Sequence, residues 1–175
     1  IKDRARNVSE ADAYDYIAGY IIANDISARD VQFSEGQWVR AKSFDTFCPL
    51  GPYLVTKDEV GDPHDLNIYC RLNGQLVQDS NTSELIFNIP EVIAFITKTC
   101  TLLPGDIICT GTPHGTGAFR DPPIYLKPGD RVEVEIEKTV YPTYQMLIEY
   151  FTELRSKTNS DDGLWSMPQG ADVYN

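Results

Sequence analysis

The chain has 175 residues, 42% of them apolar and 23% charged, which suits one domain with a real core and is short for two. Its 15 Lys and Arg stand against 26 Asp and Glu, a net charge of −11. A surface of that sign repels phosphate backbones and anionic lipid, so nucleic acid and membrane surfaces are not expected partners.

The longest apolar stretch, residues 16–23, is broken by Gly19 and is far below the roughly 18–20 residues of a bilayer span. Residues 1–6 hold no initiator Met and no signal-like apolar segment, so they carry no information about compartment. Ser9-Glu10-Ala11-Asp12 has the form of a helix start, Ser9 as N-cap with acids in the first turn. Gly19 and the β-branched pair Ile21 and Ile22 end that helix early, and residues 17–24 read as a mostly buried strand. Residues 25–33 return to a helical turn, and Pro49, Gly51 and Pro52 impose a loop before residues 53–56.

A hairpin is the plainest local signal. Ile68, Cys70 and Leu72 alternate with Tyr69 and Arg71, Asn73-Gly74 suits the positive φ angles of a type I′ turn, and Leu76-Val77 returns. A helix is expected over 90–98, with Pro90 at the first helical position and Val92, Ile93 and Ile96 on its inner stripe. Leu-x-Pro-Gly-Asp then occurs twice, at 102–106 and 126–130, each a type II turn launching a strand, over 107–110 and 132–136. The intervening sequence does not repeat, so this is reuse of one turn and not a solenoid. The pattern is mainly β with short helices. Residues 144–155 suit an amphipathic helix, and the polar end of the chain beyond it is expected to be poorly ordered.

Cys48, Cys70, Cys100 and Cys109 form no C-x-x-C pair and have only His64 and His114 beside them, so no zinc spacing is present. Three lie in apolar or strand-like stretches, which favours free thiols.

Three features carry chemistry. Asp25, Arg29 and Gln32 are spaced i, i+4, i+7, one face of a helical turn. That set suits either a hard cation with a small acidic substrate or an ordinary exposed Asp–Arg pair. Lys42, between Ala41 and Ser43, is either a surface lysine or an ammonium poised to stabilise an enolate. Residues 110–117, Thr-Gly-Thr-Pro-His-Gly-Thr-Gly, form a Gly-rich turn whose small residues let backbone N–H groups and hydroxyls approach a ligand oxygen. It is neither a P-loop nor a dinucleotide fingerprint, and His114 alone reads as a turn residue.

The joint order of these features is more specific than any one. Residues 19–32, then Lys42-Ser43-Phe44-Asp45-Thr46, Pro49-Leu50-Gly51-Pro52, Asn73-Gly74, Pro104-Gly105-Asp106 and Thr110-Gly111-Thr112-Pro113 resemble the fumarylacetoacetate hydrolase family over about 4–137. Residues 43–52 and 119–123 look most like its domain-containing protein 2 subfamily. The resemblance implies a mixed β-roll of the family's C-terminal domain type over 1–140, followed by a divergent tail over 141–175. It implies a homodimer and a Mg²⁺ or Mn²⁺ site, with Ca²⁺ also accommodated, made by two Glu and one Asp. Asp25 matches the Asp. The two Glu, a Glu-x-Glu pair, and a lid bearing His and Glu would fall before Ile1, as would any targeting segment for a mitochondrial or cytoplasmic enzyme.

By the same resemblance Arg29, Gln32 and Lys42 contact the carboxylate and oxo groups of a small 2-oxo acid, Lys42 and Gln32 being catalytic. Thr112 binds the same end of the ligand, and Thr46 belongs to the metal region. The activity implied is oxaloacetate tautomerisation through a chelated enolate. The alternatives are acylpyruvate-type C–C hydrolysis, oxaloacetate decarboxylation, or a catalytically incomplete homologue that only binds or assembles.

Overall fold

The computed structural model describes residues 1–137 and the backbone of 173–174. The segment read as a helix over 144–155 lies outside the described residues, as does the polar stretch after it apart from 173–174.

The sheets are small. The largest has three antiparallel strands in the order β5-β4-β6: β4 (Asn67–Leu72), β5 (Gln75–Asn81) and β6 (Val132–Ile136). Asn73 and Gly74 join β4 to β5 at φ 52° and 81°, as the Asn-Gly signal requires. The same Asn73 fixes β6. Its N–H donates to the Arg131 carbonyl at 2.8 Å, and its Oδ1 accepts from the Arg131 N–H at 2.9 Å. Cys70 of β4 and Val132 and Val134 of β6 pack with Ile22 and Ile26 in one core cluster.

A second cluster joins Ala5, Val8, Ala13 and Ile17 to Ile89 and Ile93 of the long helix. That helix (Ile89–Thr99) has Pro90 in its first turn and a capping box between Asn88 and Glu91. Its buried face is Ile89, Ile93, Ala94 and Thr97, so Ile93 belongs to the inner stripe while Val92 and Ile96 are half-buried flanks.

Three expectations are corrected. Residues 17–24 are not one strand. Only β1 (Gly19–Tyr20) pairs, with β3 (Val55–Thr56), while Ala23 makes a single bridge to Leu50. The helix expected after Ser9 is a short 3-10 turn over Ala13–Tyr16. Residues 107–110 do not form a strand. The Leu-x-Pro-Gly-Asp turn before them closes as expected, with Leu103 N–H donating to the Asp106 carboxylate at 2.7 Å. No sheet edge among the described residues meets the chain that leaves it.

Short helices therefore occupy about as much of the described chain as strands do. All described strand pairings are antiparallel, including β2 (Ser27–Ala28) with β7 (Val173–Tyr174).

Candidate active site

The segment 22–29 places the first group. Ile22 and Ile26 are anchored in the sheet's core cluster, and the Asn24 N–H donates to the Pro49 carbonyl at 3.1 Å. Asp25, between two buried residues, projects outward. Two residues on, Ser27 is fully buried and donates its hydroxyl to the Asp25 carbonyl at 3.2 Å. The Ser27 oxygen accepts from the Lys42 ammonium at 3.0 Å, and the same ammonium pairs with the Asp25 carboxylate. Lys42 reaches this position because it caps α2 (Trp38–Ala41), whose Ala41 is fully buried.

Asp25, Arg29 and Gln32 do not share one helix face. Residues 27–28 are extended, and the helix begins only at Arg29 (α1, Arg29–Glu35). Arg29 and Gln32 do meet on it, with guanidinium Nη1 donating to Gln32 Oε1 at 2.6 Å, and Gln32 is buried. Asp25 lies outside that helix and pairs with Lys42, a partner that spacing could not reveal.

The connection from 109 to 120 closes the site. At its start the thiol of Cys109, on a residue exposed overall, is pushed up by partial desolvation, with Cys48 and Asp25 acting the same way and Lys42 opposing them. Near its end the Arg29 guanidinium stacks over the Phe119 ring at 5.2 Å. Between these points Gln78 of β5, buried on the core face opposite Cys70, directs its amide nitrogen at Thr112 Oγ1 (3.2 Å) and at the carbonyls of Pro113 (2.8 Å) and His114 (3.3 Å). Arg120 adds Nε to the Gly115 carbonyl at 2.9 Å, and its Nη2 to the Val77 carbonyl. The register slips between Cys70 and Arg71, leaving Val77 as the bulged residue of β5, its carbonyl available to Arg120.

This changes the role of one glycine. Gly115 sits at φ +97°, and a Cβ there would lie 2.5 Å from the Val77 carbonyl oxygen. Its smallness allows the loop to dock on β5. Thr46 is exposed in the turn after α2, at φ 71°. His114 is an exposed turn residue whose carbonyl is used. The four cysteines are free thiols.

Residues 1–167 match the family model described as fumarylacetoacetate (FAA) hydrolase C-terminal. The chain belongs to the fumarylacetoacetate hydrolase family. A Rattus norvegicus protein named "Oxaloacetate tautomerase Fahd2a, mitochondrial" is 51% identical over 139 residues, covering 79% of this chain and 44% of its own length. Among solved structures, 5-carboxymethyl-2-hydroxymuconate delta-isomerase from Mycobacterium smegmatis aligns at TM-score 0.70 and 45% identity, covering 78% of this chain and 51% of that one. Fumarylacetoacetate hydrolase from Exiguobacterium antarcticum aligns at TM-score 0.75 and 40% identity, covering 77% and 48%. The chain spans about half the length of the relatives it matches.

Ca²⁺ takes six to eight oxygen ligands and Mg²⁺ takes six, supplied by carboxylates, carbonyls and retained waters. Among the described residues no group of three His, Cys, Asp or Glu side chains gathers, and Asp25 stands as one carboxylate. These residues alone do not make such a centre. They form two pairs, Arg29 with Gln32 and Lys42 with Asp25, while Thr112 stands on the loop that Gln78 contacts. Ser27 holds Lys42, Gln78 and Arg120 hold the loop that carries Thr112, and none of the three was legible from spacing. The one available signal was Ser27's place inside the motif that starts at Asp25.

Proposed function

We propose that this family member acts on a small 2-oxo dicarboxylic acid, oxaloacetate, and interconverts its enol and keto forms. The observation that carries the reading is the fixed ammonium. Among the described residues Asp25 and Ser27 take two of the three Lys42 protons, and the third is the one proposed for a substrate oxygen. A 2-oxo acid becomes an enolate when C3 loses a proton, and negative charge then grows on the former carbonyl oxygen. A donor already held in place stabilises that charge without reorganising.

Arg29, its plane set by the bond to Gln32, takes the carboxylate, for which a guanidinium is the geometrically matched partner. Gln32 and Thr112 supply neutral hydrogen bonds to the same end of the ligand. Return of a proton to C3, in place of bond cleavage, completes tautomerisation. The rat relative's name agrees with this outcome.

The name of the Exiguobacterium structure favours a second reading, C–C hydrolysis of an acylpyruvate-type acid, which would share the enolate. The family resemblance further suggests a β-roll homodimer, and the rat relative's name a mitochondrial setting. Dependence on Mg²⁺ or Mn²⁺ would require carboxylates beyond the described residues, and that ion would supply polarisation of the 2-oxo group.

The test is the ultraviolet decay of enol oxaloacetate with and without the protein, run beside an acylpyruvate cleavage assay. Acceleration of the first alone supports the tautomerase. Rapid acylpyruvate cleavage with no effect on the enol would replace it with the hydrolase.

A further inference from the structure

From the arrangement around Gln78 we infer that this residue is a positioning residue that sets the hydrogen-bond polarity of Thr112, making the threonine hydroxyl a donor toward the substrate. The inference rests on the proposed substrate-binding role of Thr112 and extends it to a residue outside the ligand's reach.

An amide side chain can be turned either way, and its two ends look alike by shape alone. Here the surroundings decide. The Gln78 end nearest the loop lies 2.8 Å from the Pro113 carbonyl oxygen and 3.3 Å from that of His114. Carbonyl oxygens only accept, so that end must be the NH₂ group. Its two N–H bonds face three acceptors, the two carbonyls and the Thr112 hydroxyl at 3.2 Å, and because an amide nitrogen accepts nothing, the hydroxyl proton is not spent on Gln78. The hydroxyl keeps that proton for another partner. Thr112 is exposed, so the partner comes from the solvent side, where the ligand would sit. An oxygen carrying negative charge, as on a carboxylate or enolate, is the acceptor that this proton suits.

Two further features keep the arrangement from relaxing. Gln78 is only 7% exposed, so water cannot readily replace its partners. The Val77 bulge beside it is locked by Arg120, which also holds the Gly115 carbonyl, so loop and strand move as one body.

Gln78→Glu reverses the polarity with almost no change of shape. The introduced carboxylate accepts the Thr112 proton and faces two carbonyl oxygens. At low pH the same group is protonated and can donate again. The expected result is a KM for oxaloacetate raised at least tenfold at neutral pH, recovering toward wild type as the pH falls through the titration of the new carboxyl. Thr112→Val should raise KM similarly but without pH-dependent recovery, and the double variant should be no worse than Thr112→Val. Gln78→Met, which removes the donor without adding charge, checks that the fold survives, by its melting temperature.

In the wild-type protein the Gln78 side-chain amide should give a slowly exchanging NMR signal that shifts in Thr112→Val, whatever the activity. An amide that exchanges freely would overturn the geometry. A Gln78→Glu loss that is identical at every pH, or additive with Thr112→Val, would reduce Gln78 to a packing role. A wild type without activity would overturn the functional reading and the substrate-facing half of this inference, while the amide signal would still decide the hydrogen bond.

Discussion

Replacing Lys42 by Met removes the charge that the proposed chemistry uses and keeps most of the side chain's volume and stem. The structure sets the size of both consequences. The ion pair lost is partly open to water, with the Lys42 and Asp25 side chains 29% and 44% exposed, and pairs of that kind contribute about 0–1 kcal/mol. Ser27 loses a donor to its oxygen but keeps its own proton on the Asp25 carbonyl, so no buried donor is orphaned. One net hydrogen bond is about 1 kcal/mol. Together these give a loss of about 1–2 kcal/mol, a few degrees of melting temperature for a chain of this length.

The effect on catalysis should be far larger, because the ammonium opposes charge that appears only as the enolate forms. Removing one such donor usually lowers kcat by about 10²–10³. The assay is steady-state enol-to-keto conversion of oxaloacetate, with thermal melting on the same samples. A folded Lys42→Met protein with kcat within a few-fold of wild type would refute the reasoning and return Lys42 to an ordinary half-exposed lysine.

Gly115→Ala should destabilise the protein by about 2 kcal/mol or more, since it combines φ +97° with a backbone oxygen 2.5 Å from the new Cβ. Gly111→Ala, at φ +120° with nothing within 4 Å, should cost distinctly less in a urea titration. Burial, with smaller contributions from Tyr14 and Asp62, pushes the Tyr20 hydroxyl up to about 12. Below pH 10 Tyr20 is neutral both folded and unfolded. Between about 10 and 12 the unfolded chain loses the proton first, so stability falls as pH rises through that window, and Tyr20→Phe should flatten the fall in a series of melting curves. Calorimetry of the 175-residue chain with Mg²⁺ or Mn²⁺ should give a Kd weaker than about micromolar, because the described site offers Asp25 alone; tight stoichiometric binding would contradict this.

What could be read from the sequence was local. The Asn73-Gly74 turn, the helix around Pro90 and both Leu-x-Pro-Gly-Asp turns are fixed by neighbours within a few residues, and the structure has each of them. Spacing misled where a chain segment changed conformation inside the motif. Asp25 is spaced for the face of Arg29 and Gln32, yet the extended pair 27–28 separates it from their helix.

The supports of the site were hidden for a different reason. Gln78 reaches the Thr112 loop across more than thirty residues, and Arg120 reaches Val77 across 43. Their roles depend on a bulge, and nothing in Gln75-Leu76-Val77-Gln78 announces it. Arg29, Gln32, Lys42 and the turn carrying Thr112 stood out in the sequence as candidates, and their roles came from the family resemblance. Their pairings with Phe119, Ser27 and Gln78 are visible only in three dimensions.

On the proposed function, this protein makes and reprotonates an enolate without breaking a carbon–carbon bond. The most direct measurement is proton NMR of oxaloacetate in D₂O, following loss of the C3 signal and appearance of pyruvate together. The protein should accelerate C3 deuteration while pyruvate forms no faster than in buffer, and Lys42→Met should abolish most of the acceleration. Pyruvate appearing in step with substrate loss, or C3 exchange no faster than in buffer, would contradict it.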